Sequence, residues 1–172
     1  MPFGFDCGDG WYNIIDQTCR MMQGHIDWCR RVRARDLQFN RVLKRAVERG
    51  DLRGLEWYYT RGGSLSDWAK KSIERDLQDP RYHEIGEKPQ QVVAVQVKEK
   101  FGSLRFYVNG GDLYIRGMLL MAEALSGVTC EECGAPGKTY RYGWHRTLCP
   151  QHARAADYPV DENGVELSVQ YE

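Results

Sequence analysis

Apolar residues in the first half of the chain recur at three- and four-residue steps, the spacing of one helix face. Trp11, Ile14, Ile15, Cys19 and Met22 form the first set, behind Asp9 as the expected cap, and the pattern falters around Gly24. A second helical segment follows Asp36, with Leu37, Val42, Leu43, Ala46 and Val47 as its buried positions and Gly50 as its stop. Asp51 restarts a short helix through Trp57, Tyr58 and Tyr59, ended by Arg61, Gly62 and Gly63. Three consecutive aromatics cannot share one helix face, so at least one reaches a surface and can anchor an interface. Ser66 caps a further helix, with Leu65 and Trp68 bracketing its entry and Ile73 and Leu77 on its inner face.

Beyond a polar loop that holds Pro80, Gly86 and Pro89, the period changes. Val93, Val95 and Val97 alternate with Ala94, Gln96 and Lys98, which predicts a half-buried strand. Lys100 to Ser103 turns the chain, and Leu104, Phe106 and Val108 form the inner face of a returning strand that ends at Asn109. Asp112 caps a helix in which Leu113, Met118, Leu119, Ala122 and Leu125 supply the apolar contacts. Near the C-terminus, Asp161 to Gly164 reads as a turn, and Val165, Leu167 and Val169 alternate with polar residues as a short edge strand. The fold class is α+β: a helical N-terminal half, a central β-hairpin plus helix, and a C-terminal Cys3His zinc knuckle. The implied division is an α+β domain over 1–127, with a helical, Arg-rich insert at about 24–88, and a knuckle with an acidic tail over 128–172.

The knuckle rests on ligand spacing. Cys130 and Cys133 stand on one tight turn, and Cys149 and His152 repeat the two-residue gap after fifteen intervening residues. Each pair presents two ligands within chelating distance, and two pairs close a tetrahedron around Zn2+. Gly134 and Gly137 suit the close backbone approach that such turns need. Buried thiols with a surface histidine are the plain alternative, and His145 is a competing ligand that breaks the paired spacing. Four protein ligands fill the coordination sphere, so the expected zinc is structural, contributing folding energy rather than Lewis acidity. Cys7, Cys19 and Cys29 lack ligand spacing and read as small buried apolar residues.

Charge changes the picture locally. The 172 residues carry 24 basic and 24 acidic side chains. From Arg20 to Arg61, however, eleven basic residues stand against five acidic ones, a surplus that can attract polyanions. The tail after Ala156 is acidic, so the two segments either neutralise each other or leave a working basic patch. Arg30, Arg31, Arg33 and Arg35 can track a nucleic-acid backbone, or form a solvated face or dock an acidic protein. On the hairpin, Lys98, Lys100, Arg105 and Tyr107 lie opposite the apolar positions or at the turn. Basic groups interleaved with aromatics bind phosphates and stack on bases; a solvated, edge-protecting face explains them as well. Arg141, Trp144 and Arg146 sit with His145 on the loop between the ligand pairs, where zinc modules often carry contacts; alternatively Trp144 is the core of the knuckle.

No apolar run approaches the roughly eighteen residues of a membrane span, and Met1 to Asp6 lacks the basic start and apolar core of a signal peptide. The expectation is a cytoplasmic protein, and six cysteines in a reducing compartment do not imply three disulfides. There is no nucleophile elbow, phosphate-binding Gly loop, HExxH or dinucleotide fingerprint, which points away from an enzyme. An enzyme acting on nucleotides through Asp6, Asp9 or His83 is a third class, although turn and cap roles explain the two aspartates more simply.

Several segments together resemble a recurrent set in other sequences: Val95 to Val108, Phe5 to Trp11, Ala122 to Ser126, Cys130 to Gly137 and Gly143 to Cys149. They are similar to an uncharacterised zinc-knuckle family of small phage and prophage accessory proteins. The resemblance covers about the first fifteen residues and most of 92–152, but not the Arg-rich middle. What it implies is a non-enzymatic phage protein in the host cytoplasm that inhibits or sequesters a host component, such as a defence protein or its nucleotide signal. The expected partner is then a host protein or a phosphate-bearing small molecule. The competing class, favoured by the Arg-rich helices, is a zinc-ribbon nucleic-acid-binding or regulatory protein.

Overall fold

The computed structural model describes residues 4–167, and the fold is α+β. A short strand β1 (Phe5–Asp6) and a single 3-10 turn (Asp9–Trp11) lead into a long helix α1 (Tyr12–Arg49). Helices α2 (Arg53–Thr60) and α3 (Asp67–Gln78) follow, then strands β2 (Val93–Lys100) and β3 (Ser103–Asn109) and helix α4 (Leu113–Ser126). The last elements are β4 (Lys138–Tyr140), β5 (Arg146–Leu148) and α5 (Pro150–Ala155). The chain forms two compact units, one from the described residues up to Ile26 and from Gln90 onward, the other from Asp27–Pro89.

In the first unit a three-stranded sheet has the order β1-β2-β3, with β1 parallel and β3 antiparallel to β2. Trp11, Ile15, Met22 and Ile26 pack on Val97, Leu104 and Phe106 of the sheet and on Ile115 and Ala122 of α4. The inner face of β3 is the predicted one. On β2 the prediction fails upstream of Val97, because the register shifts between Ala94 and Gln96. Such a bulge moves every preceding side chain to the opposite face. Val92 and Ala94 therefore pack against the core, while Val93 and Val95 are exposed.

The predicted break at Gly24 is absent. A helix-interior glycine costs about 1 kcal/mol relative to alanine, and the buried ladder Trp11, Ile15, Thr18, Met22 and Ile26 runs straight past it. Thr18 takes the inward place expected of Cys19, which is exposed; its hydroxyl donates to the Ile14 carbonyl at 2.7 Å. Asp9 begins the 3-10 turn rather than capping the helix. On α4 the Asp112 side chain accepts from the Ile115 N–H at 3.0 Å, the predicted cap. Ile115 is the buried anchor there, whereas Leu113 and Leu125 face outward.

The second unit packs Phe39, Leu43 and Ala46 of α1 on Leu55 of α2 and Ile73 of α3. Phe39 supplies the burial expected of Leu37 and Val47, both of which are exposed. Of the aromatic triplet, Trp57 reaches the surface, while Tyr58 and Tyr59 pack against this core. Arg61, in the left-handed region at φ 53°, closes α2, and Ser66 caps α3 by accepting from the Ala69 N–H at 3.2 Å. Asn40 pins the following loop by exchanging two hydrogen bonds with the His83 backbone, each 2.8 Å.

After α5, Asp161 accepts from the N–H groups of Asn163 and Val165, forming the predicted turn. Val160 bridges to Glu166; the rest of the expected edge strand, Ser168 to Gln170, lies outside the described residues. Among the described residues, no helix is long and apolar enough to cross a membrane.

Candidate metal centre and the groove beside it

The turn after α4 carries Cys130 and Cys133, and its backbone is fixed before any ligand is considered. Cys130 donates to the Ala135 carbonyl at 2.7 Å, and the Gly134 N–H returns to the Cys130 carbonyl at 2.9 Å. Strands β4 and β5 pair Lys138 with Leu148, which brings Cys149 back beside this turn. Pro150 starts α5, so Cys149 stands at its N-terminus and His152 one turn inside. The result joins both ligand pairs. His152 Nδ1 lies 3.4 Å from Cys130 Sγ and 3.3 Å from Cys149 Sγ, and Cys133 and Cys149 are 3.9 Å apart. All four donor atoms fall within 4.8 Å of one another, a Cys3His cluster that can hold a metal ion.

Charge is shared unequally among the thiols. Burial opposes the Cys149 thiolate, but the His152 N–H and the thiols of Cys130 and Cys133 outweigh it and lower its pKa. Cys133 moves the other way: the Ala135 N–H favours its thiolate, and burial with the neighbouring cysteines outweighs that contact. Beside them Glu131 is buried, and burial pushes its carboxyl above the ordinary range despite the Arg146 guanidinium 2.6 Å away. Arg146 also pairs with Glu132. It is therefore committed to holding the knuckle turn.

Two other segments are built onto the knuckle. The N-terminal stretch crosses it, with the Gly10 N–H donating to the Glu131 carbonyl and Trp11 Nε1 to the Thr129 carbonyl, both at 2.8 Å. The β2–β3 turn docks against β4 and β5: the buried Thr147 hydroxyl donates to the Gly102 carbonyl and lies 2.7 Å from the Thr139 hydroxyl. Gly102, at φ 76°, is so close that a Cβ there would sit 2.6 Å from the Thr139 methyl.

This docking sets Lys98, Lys100 and Phe101 opposite Trp144 and His145, around a groove of about 410 Å³ that Glu99 and Gly143 complete. Phe101 and His145 meet edge to face at 6.1 Å, and the Lys100 ammonium lies 5.4 Å from the Phe101 ring. Lys98 lies 6.0 Å from the Tyr107 ring. Glu99 is engaged by the Gly102 N–H at 2.6 Å. Trp144 is exposed, and the core of the knuckle is formed instead by Tyr140, Leu148, Ala153 and Val160.

The other predicted residues go elsewhere. Arg105 bonds the Leu104 carbonyl and pairs with Glu123 at 3.5 Å, tying the hairpin to α4. Arg141 is exposed on the loop before Trp144. In the second unit, Arg30 and Arg33 donate to the carbonyls of Pro89 and Gly86, and Arg35 pairs with Asp36. Arg31 and Arg35 line an open groove of about 490 Å³ with Trp28 and Arg61. Phe101 and Arg61 carry no ligand spacing or period in the sequence that would single them out; His145, named there as a competing metal ligand and a loop contact, lines the groove with Phe101 instead. Comparison with protein-family models, with curated proteins and with solved structures finds no match to this chain.

Proposed function

We propose that this chain is a non-enzymatic binding protein in which structural zinc holds a groove for a phosphate-bearing small molecule of the nucleotide class. Zinc suits the donor set. Zinc–sulfur bonds of about 2.3 Å and zinc–nitrogen bonds of about 2.0–2.1 Å give tetrahedral edges of about 3.8 Å between sulfurs and 3.5 Å from sulfur to nitrogen. The observed 3.9, 3.4 and 3.3 Å separations fit those edges. Cys130, Cys133, Cys149 and His152 would hold the ion, which supplies folding energy to a segment with a small core.

The observation that carries the reading is the convergence of Lys98 and Lys100 with Phe101, Trp144 and His145 on one groove. Exposed aromatic faces stack on a base, and ammonium groups neutralise phosphate. The motifs that resemble phage accessory proteins include both walls of this groove, so the ligand class we favour is a host signal nucleotide that such a protein would sequester. Equilibrium dialysis of the zinc-loaded protein against linear and cyclic nucleotides tests this. Lys100→Ala and Trp144→Ala should each weaken the best ligand about tenfold, equivalent to about 1.4 kcal/mol, with unchanged melting. Failure of every nucleotide to bind at millimolar concentration would overturn it.

A second reading, nucleic-acid binding, is favoured by the groove of Trp28, Arg31, Arg35 and Arg61. It predicts retention of single-stranded DNA or RNA that falls steeply with salt and is lost in Arg31→Ala.

A further inference from the structure

The outward side of α4 is apolar along almost its whole length. Leu113, Tyr114, Leu120, Met121 and Leu125, with Val128 just beyond, are 46–83% exposed. Arg116 is the only charge on that side; the helix's other charge, Glu123, is engaged by Arg105. Gly117 and Ala124 stand seven residues apart, on one line along the helix, so the stripe is small at its centre and bulky at its flanks. Next to it, Ile14, Thr18 and Met21 of α1 form the far wall of an apolar groove of about 600 Å³.

We infer that this face binds a second copy of the chain, making the protein a twofold homodimer through α4. The area has the right size. At about 150–200 Å² for each fully exposed large residue, these six residues and Met21 leave roughly 650–900 Å² of mostly apolar surface uncovered. The largest patch on a typical monomer is about 300–600 Å², and a standard interface buries about 800 Å² per partner. The charge pattern selects the occupant. A twofold axis sets a surface against itself, so a highly charged face would repel its own copy; here the one charge, Arg116, stands about 80–100° round the helix from the Gly117–Ala124 line, away from the seam. The same surface also carries both parts that self-association needs: projecting leucines at 113 and 120, and a groove to receive side chains. Gly117 and Ala124 at the seam let two helix axes approach closely.

Sedimentation equilibrium on the zinc-loaded 172-residue chain decides the matter. The wild type should sediment at twice its 19.9 kDa chain mass in the micromolar range. Leu120→Glu and Ala124→Arg alter two exposed positions and should keep native circular dichroism and melting, with the dimer dissociation constant raised at least about 100-fold. Wild-type protein that stays at 19.9 kDa up to about 200 µM, or variants that keep the dimer mass, would overturn the inference. The first of these outcomes would leave the face to a helix of another protein.

Discussion

Gly10 passes so closely against Cys130 that a side chain on it would overlap the Cys130 carbonyl oxygen and lie 2.7 Å from the Cys133 nitrogen. The contact joins residues 120 positions apart and makes the N-terminal stretch part of the turn that carries Cys130 and Cys133. Gly10→Ala should therefore act at a distance. The approach of the 3-10 turn to the knuckle must open, at a cost of about 1–3 kcal/mol, or about 2–10 °C in melting temperature for a domain of this size. Differential scanning calorimetry checks this; an unchanged melting temperature would show that the two segments do not stay in contact in solution.

Metal removal tests the donor set directly. Structural zinc contributes on the order of 10 kcal/mol of binding free energy in small modules at neutral pH. Cys133→Ser should abolish stoichiometric zinc in elemental analysis and make the segment from residue 128 onward protease-sensitive. His145→Ala should keep full zinc, because His145 faces Phe101 rather than the cluster. Loss of zinc in His145→Ala would reassign the fourth ligand.

The Cys3His cluster was legible because chelation imposes a short spacing that chain pattern preserves. The face of β3 was legible for a similar reason: its period is unbroken from Leu104 to Val108. The face of β2 was not, since one unpaired residue at the bulge reverses the parity of Val93 and Val95 without any local mark. Gly24 misled because its intrinsic cost is small beside the burial of Met22 and Ile26 on either side. The groove was half visible: Lys98, Lys100 and Trp144 stood out by residue type, but their meeting depends on Thr147 binding Gly102, a contact between distant segments. On α4, Met118, Leu119 and Ala122 pack on the core as read, whereas Leu113 and Leu125 face outward, because periodicity counts apolar positions without saying which of two sides is covered.

Thr147 should be the most sensitive polar residue between the hairpin and the knuckle. It is fully buried, donates to the Gly102 carbonyl and meets the Thr139 hydroxyl at 2.7 Å. Thr147→Val keeps the shape and removes the donor, leaving the Gly102 carbonyl and the Thr139 hydroxyl without it. The expected loss is about 1–3 kcal/mol in urea unfolding, with zinc content unchanged. Thr147→Ser, which keeps the hydroxyl, should lose much less; a stable Thr147→Val beside a destabilised Thr147→Ser would mean the methyl group, not the hydrogen bond, matters.

Tyr59 gives the helical unit a pH dependence of definite sign. Its hydroxyl donates to the Asp76 carboxylate, which also accepts from Arg75 at 3.1 Å. Burial, then the hydrogen bond and charge of Asp76, push the phenol up to about 12. An unfolded tyrosine titrates near pH 10. Between those values the folded state keeps a proton that the unfolded state has released, so stability present below about pH 10 is lost as pH rises toward 12. Many groups titrate in that range, so the informative quantity is the difference between wild type and Tyr59→Phe. That difference should be about 1–2 kcal/mol at pH 7, stay level to about pH 9 and shrink from about pH 10 upward. Guanidinium unfolding followed by circular dichroism measures it, and a difference that grows with pH would reverse the assignment of Tyr59 as the donor.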